Sequence, residues 1–153
     1  MNNYFIILAA GKGHRFSQNK PKQYFDYNGK KLVHHSIDKA LDSKLFKKII
    51  IVTSKKYKKE FKKYNKNQLL FVDGGIERKD SSLNALKKIK KFRPQNVLIH
   101  DAARPNFSIK LIKSLIKQLN NNIAVIPGTK SRDTIKYKIN NKHINLDRNK
   151  IFL

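Results

Sequence analysis

The sequence contains no cysteine. It can therefore form no disulfide, build no Cys-ligated zinc site and carry out no thiol chemistry. Acidic residues are scarce too, ten Asp and Glu against 35 Lys and Arg, for a formal net charge of +25. Long hydrophobic runs are missing: the apolar stretches are a few residues each, far short of the about 20 that cross a bilayer. No membrane-spanning segment is expected. There is no signal-peptide pattern either, because the short apolar stretch Tyr4 to Leu8 leads straight into a glycine loop. A cytoplasmic enzyme is the setting these absences favour. No Gly/Ser-rich or Pro-rich linker divides the 153 residues, and no internal repeat occurs. One domain with a real core is expected over 1–153.

The basic excess invites a nucleic-acid reading, since positive surfaces attract phosphate backbones. Its make-up argues otherwise. Only six of the 35 basic residues are Arg; the other 29 are Lys, scattered along the chain with no recognisable nucleic-acid module. Nucleic acid is not expected as a partner, although the charge should concentrate anionic substrates.

Five apolar stretches read as strands: Tyr4 to Leu8, Ile49 to Val52, Leu69 to Val72, Val97 to Ile99 and Ile123 to Ile126. Between them, Leu32 to Leu41, Lys55 to Tyr64, Ser81 to Phe92 and Ile109 to Leu119 carry apolar residues at helical spacing. Ser108 is placed to cap the last helix, and Arg93-Pro94 stops the one before it. The alternation predicts an α/β fold, Rossmann-like, with a mostly parallel sheet, helices on both faces and ligands at the carboxyl ends of the strands. From 133 to 150, alternation around Asn140-Asn141 predicts a β-hairpin arm.

What is present at those strand ends is distinctive. After the first strand comes Leu8-Ala9-Ala10-Gly11-Lys12-Gly13-His14-Arg15, closed by Pro21-Lys22-Gln23. Small residues let backbone N–H groups approach phosphate oxygens, and Arg and Lys neutralise their charge. A dinucleotide fingerprint would need a glycine where Phe16 stands, and a Walker A loop needs Gly-Lys-Ser/Thr, which is absent. After the third strand comes Asp73-Gly74-Gly75 through Ser81, where a tight turn meets a helix start that favours anions. After the fourth comes His100-Asp101-Ala102-Ala103-Arg104-Pro105. Asp101 suits Mg²⁺ held against a triphosphate, because this hard cation takes one or two carboxylates plus phosphate oxygens. His100 is assigned no chemistry.

Together with Asp133-Thr134-Ile135-Lys136 and Asp147-Arg148-Asn149, these strings resemble the 2-C-methyl-D-erythritol 4-phosphate cytidylyltransferases, within the sugar-nucleotide transferases, along the whole chain. Ala9-Ala10-Gly11 and Ala102-Ala103 set it apart from the ribitol-5-phosphate cytidylyltransferases, the main alternative; a basic nucleic-acid-binding module is the second. The resemblance implies a nucleotidyltransferase fold and cytidylyl transfer from CTP to methylerythritol phosphate, for isoprenoid precursor synthesis. By it, Ala9, Ala10, Gly11 and Gly13 line the nucleotide loop, and Arg15 and Lys22 act on the phosphates. Gly75, Arg78, Ser81 and Ala102 contact the nucleotide, and Asp101 binds Mg²⁺. Arg104, Thr134 and Arg148 hold the sugar phosphate, Arg148 at the reacting centre, and the 133–150 hairpin reaches across a homodimer. At position 76, where the family often has Asp, this chain has Ile. Family members also continue past the Asp-Arg-Asn string to a further metal-binding Asp and a substrate Lys. A domain incomplete at its C-terminus, and an isolated chain of impaired activity, are therefore expected.

Overall fold

The computed structural model describes residues 2–12, 20–65 and 67–152. They fall into two compact units, 1–112 and 113–153. The first is built on a four-stranded parallel sheet of β1 (Asn3–Leu8), β4 (Lys48–Thr53), β5 (Leu69–Asp73) and β6 (Asn96–Asp101), in the order β5-β4-β1-β6. The small antiparallel pair β2 (Asp26–Tyr27) and β3 (Lys30–Lys31) closes around Asn28 and Gly29, both at positive φ.

β1 and β4 are central and read as unbroken apolar runs because both of their faces are covered. On one face Tyr4, Ile6, Ile50 and Val52 pack with Ala85 and Ile89 of α2 (Arg78–Ile89). The alternate residues Phe5, Ile7, Ile49 and Ile51 point the other way, toward α1 (Leu32–Asp42), whose Val33, Ile37 and Ala40 are buried at helical spacing. Phe5 also stacks on Phe46 and His100 and meets Phe107 at a tilt.

Two predicted helices are altered. Lys55–Phe61 is a 3-10 helix, followed by a turn through Tyr64. α2 starts three residues before Ser81, because the Glu77 carboxylate caps the helix while Asp80 accepts from the Glu77 N–H at 2.9 Å. This is a capping box with two carboxylates, which also suit the positive end of the helix dipole. The helix passes at Ile89 into a 3-10 turn that ends at Arg93, in the left-handed region at φ 46. α3 (Ile109–Gln118) is capped as expected, Ser108 Oγ accepting from Leu111 N–H at 3.1 Å.

In the second unit the hairpin forms as predicted, β7 (Ile135–Ile139) against β8 (Lys142–Leu146). Asn140 and Asn141 both take positive φ, the requirement of its tight turn. The fifth predicted strand does not form: 123–126 has no ladder partner, and Ile123 and Ile126 are exposed. An apolar run is a strand only where a neighbour takes up its backbone groups.

A half-buried polar cluster ties α1 to the 55–64 segment. Tyr64 donates to Asp38 Oδ1 at 2.7 Å, so its oxygen accepts from His34 Nδ1 at 3.1 Å, which fixes the neutral tautomer with the proton on Nδ1. Lys30 pairs with Asp38, and Lys31 with Glu60. Burial, aided by the Lys63 charge, pushes the His34 pKa down to about 4. The unfolded chain takes up this proton near pH 6.5, whereas the folded chain resists until about 4. Stability is therefore expected to fall as pH drops through that window, by about 2 kcal/mol from His34 between pH 7 and pH 5. Urea unfolding at the two pH values measures it. A His34→Gln protein should lose most of this slope and keep what His100, also held low by burial, and the Lys31-paired Glu60 contribute; an unchanged slope would exclude His34 as the source.

Candidate active site

The exits of β1, β5 and β6 meet at the carboxyl edge of the sheet, around a cavity of about 580 Å³. Chain order along the sheet reverses beside β1, the place where open α/β sheets leave a crevice for ligands. Ala10, Gly11 and Lys12 come from the first loop, Gly75 to Arg78 and Ser81 from the second, and Asp101 to Ala103 from the third.

The first loop is held from below. Ala9 is buried; its N–H continues the sheet to Val52 O at 2.8 Å. Its carbonyl accepts from Gln23 Nε2 at 2.8 Å and from the Tyr24 hydroxyl at 3.0 Å, and Gln23 donates to Gly11 O as well, also at 2.8 Å. Tyr24 is fully buried, 2.6 Å from Thr53 Oγ1 and stacked on Tyr57. With the loop carbonyls taken up on the inner side, Ala10, Gly11 and Lys12 are left as cavity wall. Replacing Gln23 by Ala removes two hydrogen bonds at about 0.5–1.5 kcal/mol each. A loss of about 1–3 kcal/mol in chemical denaturation is the expected result, and an unchanged midpoint would show that the clamp contributes nothing.

Gly74 is where the second loop touches the first: a Cβ there would lie 2.3 Å from Ala10 Cβ. The Gly75 N–H donates to Ser81 Oγ at 3.0 Å, so Ser81 keeps its hydroxyl proton to offer a ligand. In the third loop Asp101 is flanked by two guanidiniums. Arg78 Nε and Nη2 both lie 3.1 Å from Oδ1, and Arg104 Nε lies 3.4 Å from Oδ2. His100 Nε2 is 2.8 Å from Arg104 O, and its ring packs between Phe5 and Phe107. It is a packed histidine.

The structure thus gathers Ala10, Gly11, Gly75, Arg78, Ser81, Asp101 and Ala102 into one cavity wall, with Arg104 joined through Asp101. Ala9 lies beneath the wall rather than in it. Lys22 is exposed at the start of the 3-10 turn Lys22–Tyr24. Gly13 and Arg15 lie outside the described residues. Thr134, exposed just before β7, and Arg148, opening the 3-10 turn after Asp147, belong to the second unit. Sequence reasoning missed Lys12 and Glu77 as cavity residues and Gln23 and Tyr24 as supports. For Glu77 a signal existed, the carboxylates three residues apart ahead of a helix. Lys12 and Gln23 stood inside the strings read as the phosphate loop, Lys12 between its two glycines and Gln23 at the close of Pro21-Lys22-Gln23; for Tyr24 no signal existed.

The described residues thus form a parallel α/β sheet whose carboxyl edge carries glycine-bearing loops and the Arg78–Asp101–Arg104 cluster. The model of one family, IspD, 2-C-methyl-D-erythritol 4-phosphate cytidylyltransferase, matches residues 4–152, and the chain belongs to that family. The bifunctional enzyme IspD/IspF of Pelagibacter ubique is 49% identical over 153 residues, 100% of this chain and 41% of that protein. The 2-C-methyl-D-erythritol 4-phosphate cytidylyltransferase of Fusobacterium nucleatum is 42% identical over 139 residues, 86% of this chain and 59% of that one. The crystal structure of the Francisella tularensis enzyme of the same name superposes with a TM-score of 0.79 at 32% identity, covering 100% of this chain and 69% of that chain. The chain therefore spans 41% and 59% of the length of the two curated relatives.

Proposed function

We propose that this chain carries the nucleotide site of a cytidylyltransferase that moves CMP from CTP to 2-C-methyl-D-erythritol 4-phosphate. The observation that carries the reading is the convergence of three loops, from β1, β5 and β6, on one cavity lined by Arg78 and Asp101, with Arg104 paired to Asp101, in a chain of this family. Family membership favours this acceptor over ribitol 5-phosphate and over a nucleic-acid role.

In the proposed reaction an oxygen of the 4-phosphate attacks the α-phosphorus of CTP in line. The new O–P bond forms as the bond to the bridging α,β-oxygen breaks, and pyrophosphate leaves with the electron pair. The nucleophile is already an anion, so the protein needs no general base and forms no covalent intermediate. Its task is positioning and neutralising charge. Ala10, Gly11 and Lys12 take the phosphates, with Lys22 and Arg15 supplying fixed positive charge. Gly75 and Ser81 face the base, and Arg104, Thr134 and Arg148 hold the acceptor.

Mg²⁺ fits the donor set of this site. Asp101 is one accessible carboxylate at the cavity, and among the described residues no cluster of three or more His, Cys, Asp or Glu exists to bind a metal by itself. The remaining ligands would be phosphate oxygens, the usual arrangement for Mg²⁺. When bound it would neutralise charge developing on the triphosphate. A homodimer exchanging the 133–150 hairpin and a cytoplasmic location complete the reading; no described helix is long and apolar enough to cross a membrane.

The test is pyrophosphate release from CTP and Mg²⁺ with methylerythritol phosphate, ribitol 5-phosphate or no acceptor. Release with the first alone supports the reading. Release with ribitol 5-phosphate replaces it, and no CTP binding at all removes it.

A further inference from the structure

We infer that Lys39 of α1 is a positioning residue for the loop that carries Asp101 and Arg104. The segment 102–108 contains a proline and belongs to no helix or strand, so its carbonyls depend on side chains for partners. They find them on the body of the first unit. Ser36 Oγ is 3.5 Å from Ala102 O, and His100 Nε2 is 2.8 Å from Arg104 O. Lys39 Nζ donates to Pro105 O at 2.8 Å and to Phe107 O at 2.9 Å, and lies 5.0 Å from the centre of the Phe107 ring.

One ammonium thus satisfies two carbonyls and covers an aromatic face. These are charge-assisted bonds, roughly twice as strong as neutral ones. The N-terminal end of the same segment is closed by Arg104 N–H donating to Asp101 O at 3.1 Å. The backbone that orients Asp101 and Arg104 toward each other is therefore pinned at its far end by Lys39, which touches no cavity residue. No motif marks Lys39, one of 29 lysines in the chain.

The geometric half of this inference stands alone, and its catalytic half rests on the cytidylyl-transfer reading. Lys39→Met keeps the aliphatic stem and removes the donors; Lys39→Arg restores donors. Hydrogen exchange of the Ala103, Arg104, Asn106 and Phe107 amides, read without substrate, should quicken in Lys39→Met and return toward the parent rate in Lys39→Arg, most clearly at Arg104, whose N–H is bonded to Asp101 O. With substrates, Lys39→Met should lower kcat by about 10- to 100-fold, the usual cost of losing an outer support of a site. CTP affinity should stay within about twofold, because the first two loops keep their own supports, and Lys39→Arg should recover most of the rate. Unchanged exchange in Lys39→Met overturns the positioning role. Altered exchange with wild-type kcat overturns its catalytic consequence, as does a loss of rate that Lys39→Arg does not relieve. A parent protein that releases no pyrophosphate would instead fault the proposed function, and the exchange result would stand.

Discussion

An Asp101→Asn protein is expected to release pyrophosphate from CTP about 10²- to 10³-fold more slowly than the unaltered protein, the usual cost of removing one preorganised electrostatic group. Its fold should hardly change. Asn is nearly isosteric, and the two ion pairs lost are surface pairs, with Arg78 and Arg104 side chains 64% and 79% exposed. Such pairs contribute about 0–1 kcal/mol each. The substitution also leaves the Arg78 guanidinium at the cavity, and Arg104 beside it, without their carboxylate, so metal-free CTP should bind no more weakly than before. The loss should appear in the Mg²⁺-dependent rate. Steady-state kinetics across a Mg²⁺ titration, with isothermal titration of metal-free CTP, separates these effects. Wild-type turnover in Asp101→Asn would remove Asp101 from the reaction.

Gly74→Ala should act through shape alone. The added Cβ would sit 2.3 Å from Ala10 Cβ, whereas carbon atoms in contact are about 3.5–4.0 Å apart. More than 1 Å must be found, and Ala10 cannot yield without moving the first loop, whose carbonyls are fixed by Gln23 and Tyr24. Overpacking of this kind costs about 1–3 kcal/mol, and a displacement near 1 Å at a reacting site costs on the order of 10²-fold in rate. Reduced CTP affinity, a lowered melting temperature and a rate loss of that order are expected together. Gly11→Ala is the control, since nothing lies within 4 Å of a Cβ at Gly11. It should melt like the parent, and any loss of CTP binding then reports the ligand's own approach to that backbone. A Gly74→Ala protein indistinguishable from the parent would mean that the two loops do not need their present contact.

The sheet was legible because β1 and β4 are covered on both faces, so Phe5 to Leu8 and Ile49 to Val52 read as continuous apolar runs. The same logic misled at 123–126, where Ile123 and Ile126 look alike in sequence but are exposed and unpaired. The helix start at Arg78 was displaced because Glu77 and Asp80, not a hydroxyl residue, do the capping. The cavity itself was legible from Gly11, Gly75, Arg78 and Asp101, since glycines and charges at strand exits follow a general rule of open sheets. Tyr24 and Lys39 were not, and Gln23 was visible only as the close of the Pro21-Lys22-Gln23 string, not as a support. Each acts on a backbone carbonyl from another segment, 12 to 68 positions away, and carbonyls leave no mark on sequence.

β1 pairs along its length with β6, Asn3 opposite Asn96 and Leu8 opposite Asp101. During synthesis the first strand must therefore wait for a partner made 93 residues later, about 5–20 s at ordinary elongation rates. Until then an apolar strand with one open edge is presented to whatever else is nearby, and a pairing so distant in sequence closes slowly. Over that interval the nucleotide cavity lacks one wall: the loops after β1 and β5 are made first, and the side formed by Asp101 to Ala103 joins them only when β6 arrives.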